Sequence, residues 1–203
     1  MVRPGRDRLT GTVEVDETYI GGESPGKRGR GADNKMLVIV AVEDDSVTPG
    51  KTKGMGRIRL SRIPNASADS LRSFLKENID PGSQVRTDGW LGYGPISADG
   101  YIHVVVESKE LVITHLTISL LKRWLLGTYQ GAVQAHQLDY YLDEFTFRFN
   151  RRKSASRGKL FYRLVQQSVS VDPVPRCEIV GRSPRKLLPQ AAVHAPGLDK
   201  TVI

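Results

Sequence analysis

Cysteine is nearly absent. Cys177 is the only one in 203 residues, which excludes an internal disulfide framework and a cysteine-based zinc ribbon within this chain. It reads as a free thiol with no role of its own. Long apolar runs are missing too: none approaches the roughly 20 residues needed to span a bilayer, so no membrane partner is expected. The opening stretch MVRPGRDRLTG is basic and has no apolar segment behind it. It does not read as a secretory signal, and cytoplasmic residence is the expectation. There is no internal repeat, no P-loop, and no Cys or Ser placed beside a base as a nucleophile. Acidic residues are the minority, 22 against 30 Lys and Arg, for a net charge of +8. That balance fits a polyanionic partner and equally fits plain solubility. With 39% hydrophobic and 26% charged residues, the chain has what one medium globular domain with a real core requires.

Periodicity divides the chain into elements. Residues 12–20 alternate as a strand, with Val13 and Val15 facing one way and Glu14, Asp16 and Thr18 the other. A glycine-rich basic loop, ESPGKRGRGADNK, follows over 23–35. MLVIVAVE (36–43) is almost continuously apolar, as a strand covered on both faces requires. RIRLSRI (57–63) alternates again, with Arg57, Arg59 and Ser61 on a face expected to be solvated. Ser67 is placed to cap a helix whose apolar stripe is Leu71, Phe74 and Leu75. QVRT reads as a short strand leading into Asp88, and 101–106 as a fifth strand. Helices are expected over 115–126 and 136–150, the first with an apolar side of Leu116, Leu120, Leu121, Trp124 and Leu125. The order is that of a mixed α/β fold. Residues 1–10 read as a polar lead-in, 11–168 as the domain, and the proline-bearing 169–203 as an irregular or disordered tail.

The residues with chemistry in them are few. Asp16 and Asp88 each stand at the end of a strand, and each has a bland reading when taken alone: an exposed strand aspartate, and an Asp-Gly turn. Set side by side, two carboxylates repel unless a cation lies between them, and hard divalent cations with oxygen ligands fill that role. His115, Ser119 and Lys122 recur on one face of the expected helix, where an imidazole can hold a metal, a water or a phosphate, and Lys122 can neutralise a phosphate. An ordinary wet helix face is the alternative. The aromatics Tyr141, Phe145 and Phe149 keep helical spacing with Leu138 and Leu142, which marks core packing. Arg148, Arg151, Arg152 and Lys153 suit the C-terminal end of that helix and equally a phosphate.

In order along the chain, VDETYIGG, GKRGRGADNK, RIRLSRIPNASADSL, TDGWLGY, SLLKRWLLGTYQGAV and LDYYLDEFTFRFNRR closely resemble the catalytic domain of bacterial insertion-sequence DDE transposases of the ISXO-like type, over roughly residues 10–168. The resemblance implies an RNase H-like mixed sheet flanked by helices, and cleavage and strand transfer of DNA with a two-metal site of Mg²⁺ or Mn²⁺. It places the first two acidic positions on Asp16 and Asp88, the third metal position on His115, and the accompanying lysine on Lys122. An imidazole in place of a carboxylate leads to the expectation that Mn²⁺ serves better than Mg²⁺. DNA, both terminal inverted repeats and target, is the implied partner. Its contacts are assigned to Lys27, Arg28 and Arg30 of the loop, to Arg123, and to Arg151 and Arg152. Homo-oligomerisation and association with the nucleoid are expected with it. The alternative is a truncated, non-catalytic remnant that binds DNA or oligomerises.

Overall fold

The structure is a computed structural model that describes residues 6–21, 35–47, 50, 54–130 and 133–181. Five strands, β1 (Thr12–Ile20), β2 (Met36–Asp44), β3 (Met55–Ile63), β4 (Gln84–Thr87) and β5 (Ile102–Val105), form one sheet in the order β3-β2-β1-β4-β5. The first three are antiparallel, whereas β4 pairs with β1, and β5 with β4, in parallel. The parallel crossover from β3 to β4 is made by helix α1 (Ala68–Asn78). Then come α2 (Val112–Tyr129), α3 (Ala135–Asn150) and α4 (Arg157–Ser168). This is the α/β mixed sheet flanked by helices that the sequence leads one to expect. The sheet separates two apolar layers. Val13 and Val15 of β1 with Ile39 and Ala41 of β2 pack under Leu71, Phe74 and Leu75 of α1. On the opposite face Val38, Val40, Val42, Ile58 and Leu60 meet Leu121 and Leu125 of α2 and Leu138, Leu142 and Phe145 of α3. β2 is therefore buried on both faces, as its unbroken apolar run requires.

Local signals explain the boundaries. Ser67 caps α1 by accepting from the Ser70 N–H at 3.4 Å, and Asp69 sits in the first turn, where the helix dipole favours a carboxylate. α3 lies along the outer edge of β3: Asn150 Oδ1 accepts from Ile58 N at 2.8 Å while its Nδ2 donates to Ile58 O at 3.1 Å.

Three expectations change. The lead-in is not wholly polar surface, because Leu9 is fully buried and bridges to Ile79, with Leu9 N donating to Asn78 O at 2.8 Å. The face of β3 expected to be solvated is not: Arg59 is 5% exposed, since the carbonyl of Asp7 in the N-terminal segment lies against its guanidinium. α2 starts at Val112, earlier than expected, and its buried stripe is Thr114, Thr117, Ile118, Leu121 and Leu125. Leu116, assigned to the apolar side, is 47% exposed. The described part of the C-terminal stretch, residues 169–181, is irregular as expected apart from one turn of helix, α5 (Arg176–Ile179), which lies in a separate compact unit that begins at Val174. Among the described residues, no helix is long and apolar enough to cross a membrane.

Candidate active site

The face of β1 that carries Glu14, Asp16 and Thr18 is polar in sequence, yet α2 roofs it. Glu14 is 2% exposed. Its Oε2 accepts from the Thr114 N–H at 3.1 Å and from the Thr114 hydroxyl at 3.3 Å, in the first turn of α2. A helix start presents unpaired N–H groups and a positive dipole end, so a carboxylate from the sheet is a fitting cap. The other oxygen faces Arg86 of β4 at 3.4 Å, and Arg86 also stands 3.9 Å from Asp44. Burial raises the Glu14 pKa above the ordinary carboxylate value, and the Thr114 bonds and Arg86 oppose it without cancelling it. Sequence alternation put Glu14 on the correct face but gave no sign that it would be buried. The buried threonines of α2 at i and i+3 were the available signal.

One turn of the pleat further on stands Asp16. Its Oδ2 lies 3.0 Å from His115 Nε2, and its Oδ1 accepts from the Glu17 N–H at 2.8 Å. The parallel register pairs Glu14 with Arg86. Asp88 directly follows the end of β4, and its charge reaches Asp16. Burial is the main cause of a raised Asp16 pKa; the Glu17 N–H and His115 pull it down, and the negative charge of Asp88 pushes it up again. The expected trio is thus brought into one neighbourhood from three distant stretches. Two carboxylates and an imidazole are a donor set for a divalent cation. In the described conformation, however, Asp16 and His115 bond to each other, and among the described residues no three acidic, His or Cys side chains form a ready metal-holding group.

The TDGWLGY segment fixes Asp88. Asp88 Oδ1 accepts from Trp90 N at 3.1 Å, and Trp90 Nε1 donates to Ala66 O at 2.9 Å, which fastens the turn to the start of α1. Gly92 has to be glycine here: a Cβ would lie 2.8 Å from Ala66 O and 2.8 Å from Leu71 Cδ1. Tyr93 is fully buried and its hydroxyl donates to Glu17 in a very short hydrogen bond. Burial first, then the carboxylates Glu17, Asp16 and Asp88, hold the Tyr93 pKa well above its usual value, so the phenol stays a neutral donor. Tyr93 and Glu17 lay inside quoted motifs without a role, and only the fold brings them beneath the two aspartates.

The basic residues are spread more widely. Lys122 lies two turns beyond His115 on α2, about 10 Å along its axis, and is exposed in a groove with Lys35 and Tyr19 at the C-terminal end of β1. It does not join the Asp16–His115 contact. Arg123 is exposed on the same helix. Arg151 stacks over Phe147 at 3.9 Å. Arg152 stacks over Phe149 at 3.9 Å and bonds the carbonyls of Phe149, Gly56 and Met55, tying the end of α3 to β3. Lys27, Arg28 and Arg30 lie outside the described residues. Glu107, on the approach to α2, is exposed and pairs with Lys109 at 2.5 Å.

Comparison with known proteins gives a family and a distant structural likeness. The model of the ISXO2-like transposase domain matches residues 8–150. Among solved structures, the catalytic core domain of BIV integrase is similar at 14% identity and a TM-score of 0.48, over 80% of this chain and 100% of that one. No functionally curated protein matches the sequence. With most of its length matched, from Arg8 to Asn150, the chain belongs to the ISXO2-like transposase domain family.

Proposed function

We propose that the chain is a DNA transposase catalytic domain that cleaves DNA and transfers strands, with Asp16 and Asp88 as ligands of divalent metal, Mg²⁺ or Mn²⁺, and His115 as the third group beside them. The observation that carries this reading is the meeting of Asp16 on the central strand, Asp88 after its parallel neighbour and His115 on the helix above. The raised Asp16 pKa has the same bearing, since a cation would relieve both the burial and the repulsion by Asp88. Bound metal would polarise a phosphodiester and make the attacking water or 3′-hydroxyl more acidic. The remaining work belongs to the chain. Glu14 anchors the start of α2, which sets His115 over Asp16. His115 orients the Asp16 carboxylate, and the Trp90 N–H orients Asp88. The neutral Tyr93 hydroxyl holds Glu17 away from the two aspartates. Lys122, Arg123, Arg151 and Arg152, with Lys27, Arg28 and Arg30, are assigned to phosphates of terminal-repeat and target DNA, by an oligomer of this chain.

The test is metal-dependent nicking of terminal-repeat DNA, followed by joining of the 3′-hydroxyl end to a target duplex. Asp16→Ala and Asp88→Ala are each expected to abolish both steps, and also Mn²⁺ binding measured by calorimetry, while far-ultraviolet circular dichroism stays native. Full activity in both variants would overturn the assignment. A second reading, a non-catalytic RNase H-like DNA-binding or oligomerising protein, is favoured by one observation: no ready metal-holding group of three forms among the described residues. DNA binding without nicking under any divalent metal would select it.

A further inference from the structure

We propose that a cavity at the outer edge of β3, remote from Asp16 and Asp88, is an oxyanion site that takes a phosphate group. The cavity has a volume of about 200 Å³ and lies between β3, α3, the N-terminal segment and α4; its walls include Arg6, Arg57, Arg59, Arg151, Asp143 and Gln167. Its floor is Arg59. This side chain is 5% exposed, so its charge has been taken almost wholly out of water. A buried cation ordinarily meets a carboxylate, because the desolvation cost is otherwise uncompensated. The hydrogen bonds of Arg59 go to neutral acceptors, Nη1 donating to Ile58 O at 2.9 Å and Nη2 to the carbonyl of Asp7, and the carboxylates of Glu43 and Asp7, the latter also on the cavity wall, act on it through space. Its Nε has no partner. The nearby carboxylate of Glu43 is already used, by Arg57, whose Nη2 and Nε lie 2.6 and 2.9 Å from its two oxygens.

Arg59 is thus a desolvated donor with two further guanidinium groups near it. Burial, then Arg6, then Arg57, push its pKa down to about 10, and the carboxylates of Glu43 and Asp7 offset this only in part. On the opposite wall, burial raises the pKa of Asp143 and Arg6 opposes the rise, so the charge this carboxylate sets against an anion is itself poorly favoured there. Gln167 Oε1 is likewise buried and unpartnered, and a flip of that amide turns its NH₂ toward an anion. Donors converge from four chain segments. A tetrahedral phosphate offers oxygens in as many directions, whereas a planar carboxylate offers two in one plane. The group is either a backbone phosphate of DNA or free phosphate, and the recognition chemistry is the same for both.

The test is calorimetric titration of the full chain with inorganic phosphate, with ionic strength held constant by chloride. Saturable binding is expected, weakened at least tenfold by Arg59→Met, which keeps the packing stem and removes the donor. Arg6→Ala, at an N-terminal side chain that bonds Asn78 Oδ1 at 3.3 Å, is expected to weaken it severalfold and serves if Arg59→Met does not fold. Asp16→Ala should bind phosphate as the native chain does, so failure of the transposase reading would leave this one standing. A short duplex that displaces phosphate assigns the site to DNA backbone; a duplex that does not assigns it to the free anion. Absence of saturable binding in the native chain, or native affinity in Arg59→Met (in Arg6→Ala, if Arg59→Met does not fold), overturns the proposal.

Discussion

Removing the Glu14 side chain tests how α2 is held over the sheet. Glu14→Ala leaves the Thr114 N–H, the Thr114 hydroxyl and Arg86 without the partner they now have at 3.1, 3.3 and 3.4 Å. Breaking a buried pair from one side costs about 3–5 kcal/mol. Asp44 stands 3.9 Å from Arg86 and takes up part of the loss, so about 3 kcal/mol is expected, or roughly 6–12 °C in a domain of this size. Glu14→Gln separates charge from shape, because the amide oxygen still accepts from Thr114. The raised Glu14 pKa says that burial opposes the charge more strongly than Arg86 and Thr114 favour it. The neutral isostere should therefore cost about 1 kcal/mol or less, the scale of a lost charge at a helix start. The pH direction follows from linkage. With a native pKa above 4.5, the native state binds more protons than the unfolded state in the window just above that value, so stability is lost as pH rises through the native pKa. Glu14→Gln lacks this contribution, and the lead of the native chain over it widens as pH falls toward 4.5. Urea unfolding at pH 7 and pH 5 reads all three proteins. If Glu14→Gln costs as much as Glu14→Ala, the charge pair with Arg86 is what holds α2, and the capping argument fails. If Glu14→Ala is within 1 kcal/mol of native, the site is not anchored here at all.

Asp16→Asn should raise stability at pH 7 by about 1 kcal/mol, since it removes a charge that burial and Asp88 both oppose, while nicking is lost; a variant less stable than native refutes this. Gly92→Ala should cost about 1–3 kcal/mol by overpacking against Ala66 and Leu71, read as a lower thermal midpoint with reduced nicking. With His115 in place, nicking should be faster with Mn²⁺ than with Mg²⁺, and His115→Glu should move the preference toward Mg²⁺; a His115→Ala variant as active as native under both metals removes His115 from the site. DNA affinity should fall with salt at a log–log slope of roughly −0.9 per phosphate neutralised, and a salt-insensitive complex contradicts electrostatic binding.

Periodicity carried most of the fold. Alternation placed Val13 and Val15 opposite Glu14 and Asp16, and the strand ends, the Ser67 cap and the α3 stripe follow from residues adjacent in sequence. What was hidden depends on contacts across the chain. Arg59 reads as a wet edge residue until Asp7, 52 residues away, lies over it. α2 begins at Val112 because a carboxylate from β1, 100 residues away, accepts from Thr114 N; no local signal replaces that partner. Leu116 looked apolar by spacing, yet threonines occupy the buried stripe, since the face beneath them carries Glu14. For the candidate site, motif and strand position brought forward Asp16, Asp88 and His115, while Glu14, Glu17 and Tyr93 emerged only from the way the sheet and α2 meet.

The bond pair between Asn150 and Ile58 has a consequence for association. β3 is the outermost strand on its side, and its exposed backbone groups would be a template for another chain. One carboxamide occupies both the N–H and the C=O of Ile58 at mid-strand, as a neighbouring strand would. No incoming strand can zip past that point without expelling it. The opposite border, β5, has four residues and exposes Ile102 and Val105. Any lengthening of the sheet by backbone pairing is thus directed to the β5 side, and two copies meeting there would be related by a twofold axis that closes on itself, giving a pair rather than a fibre.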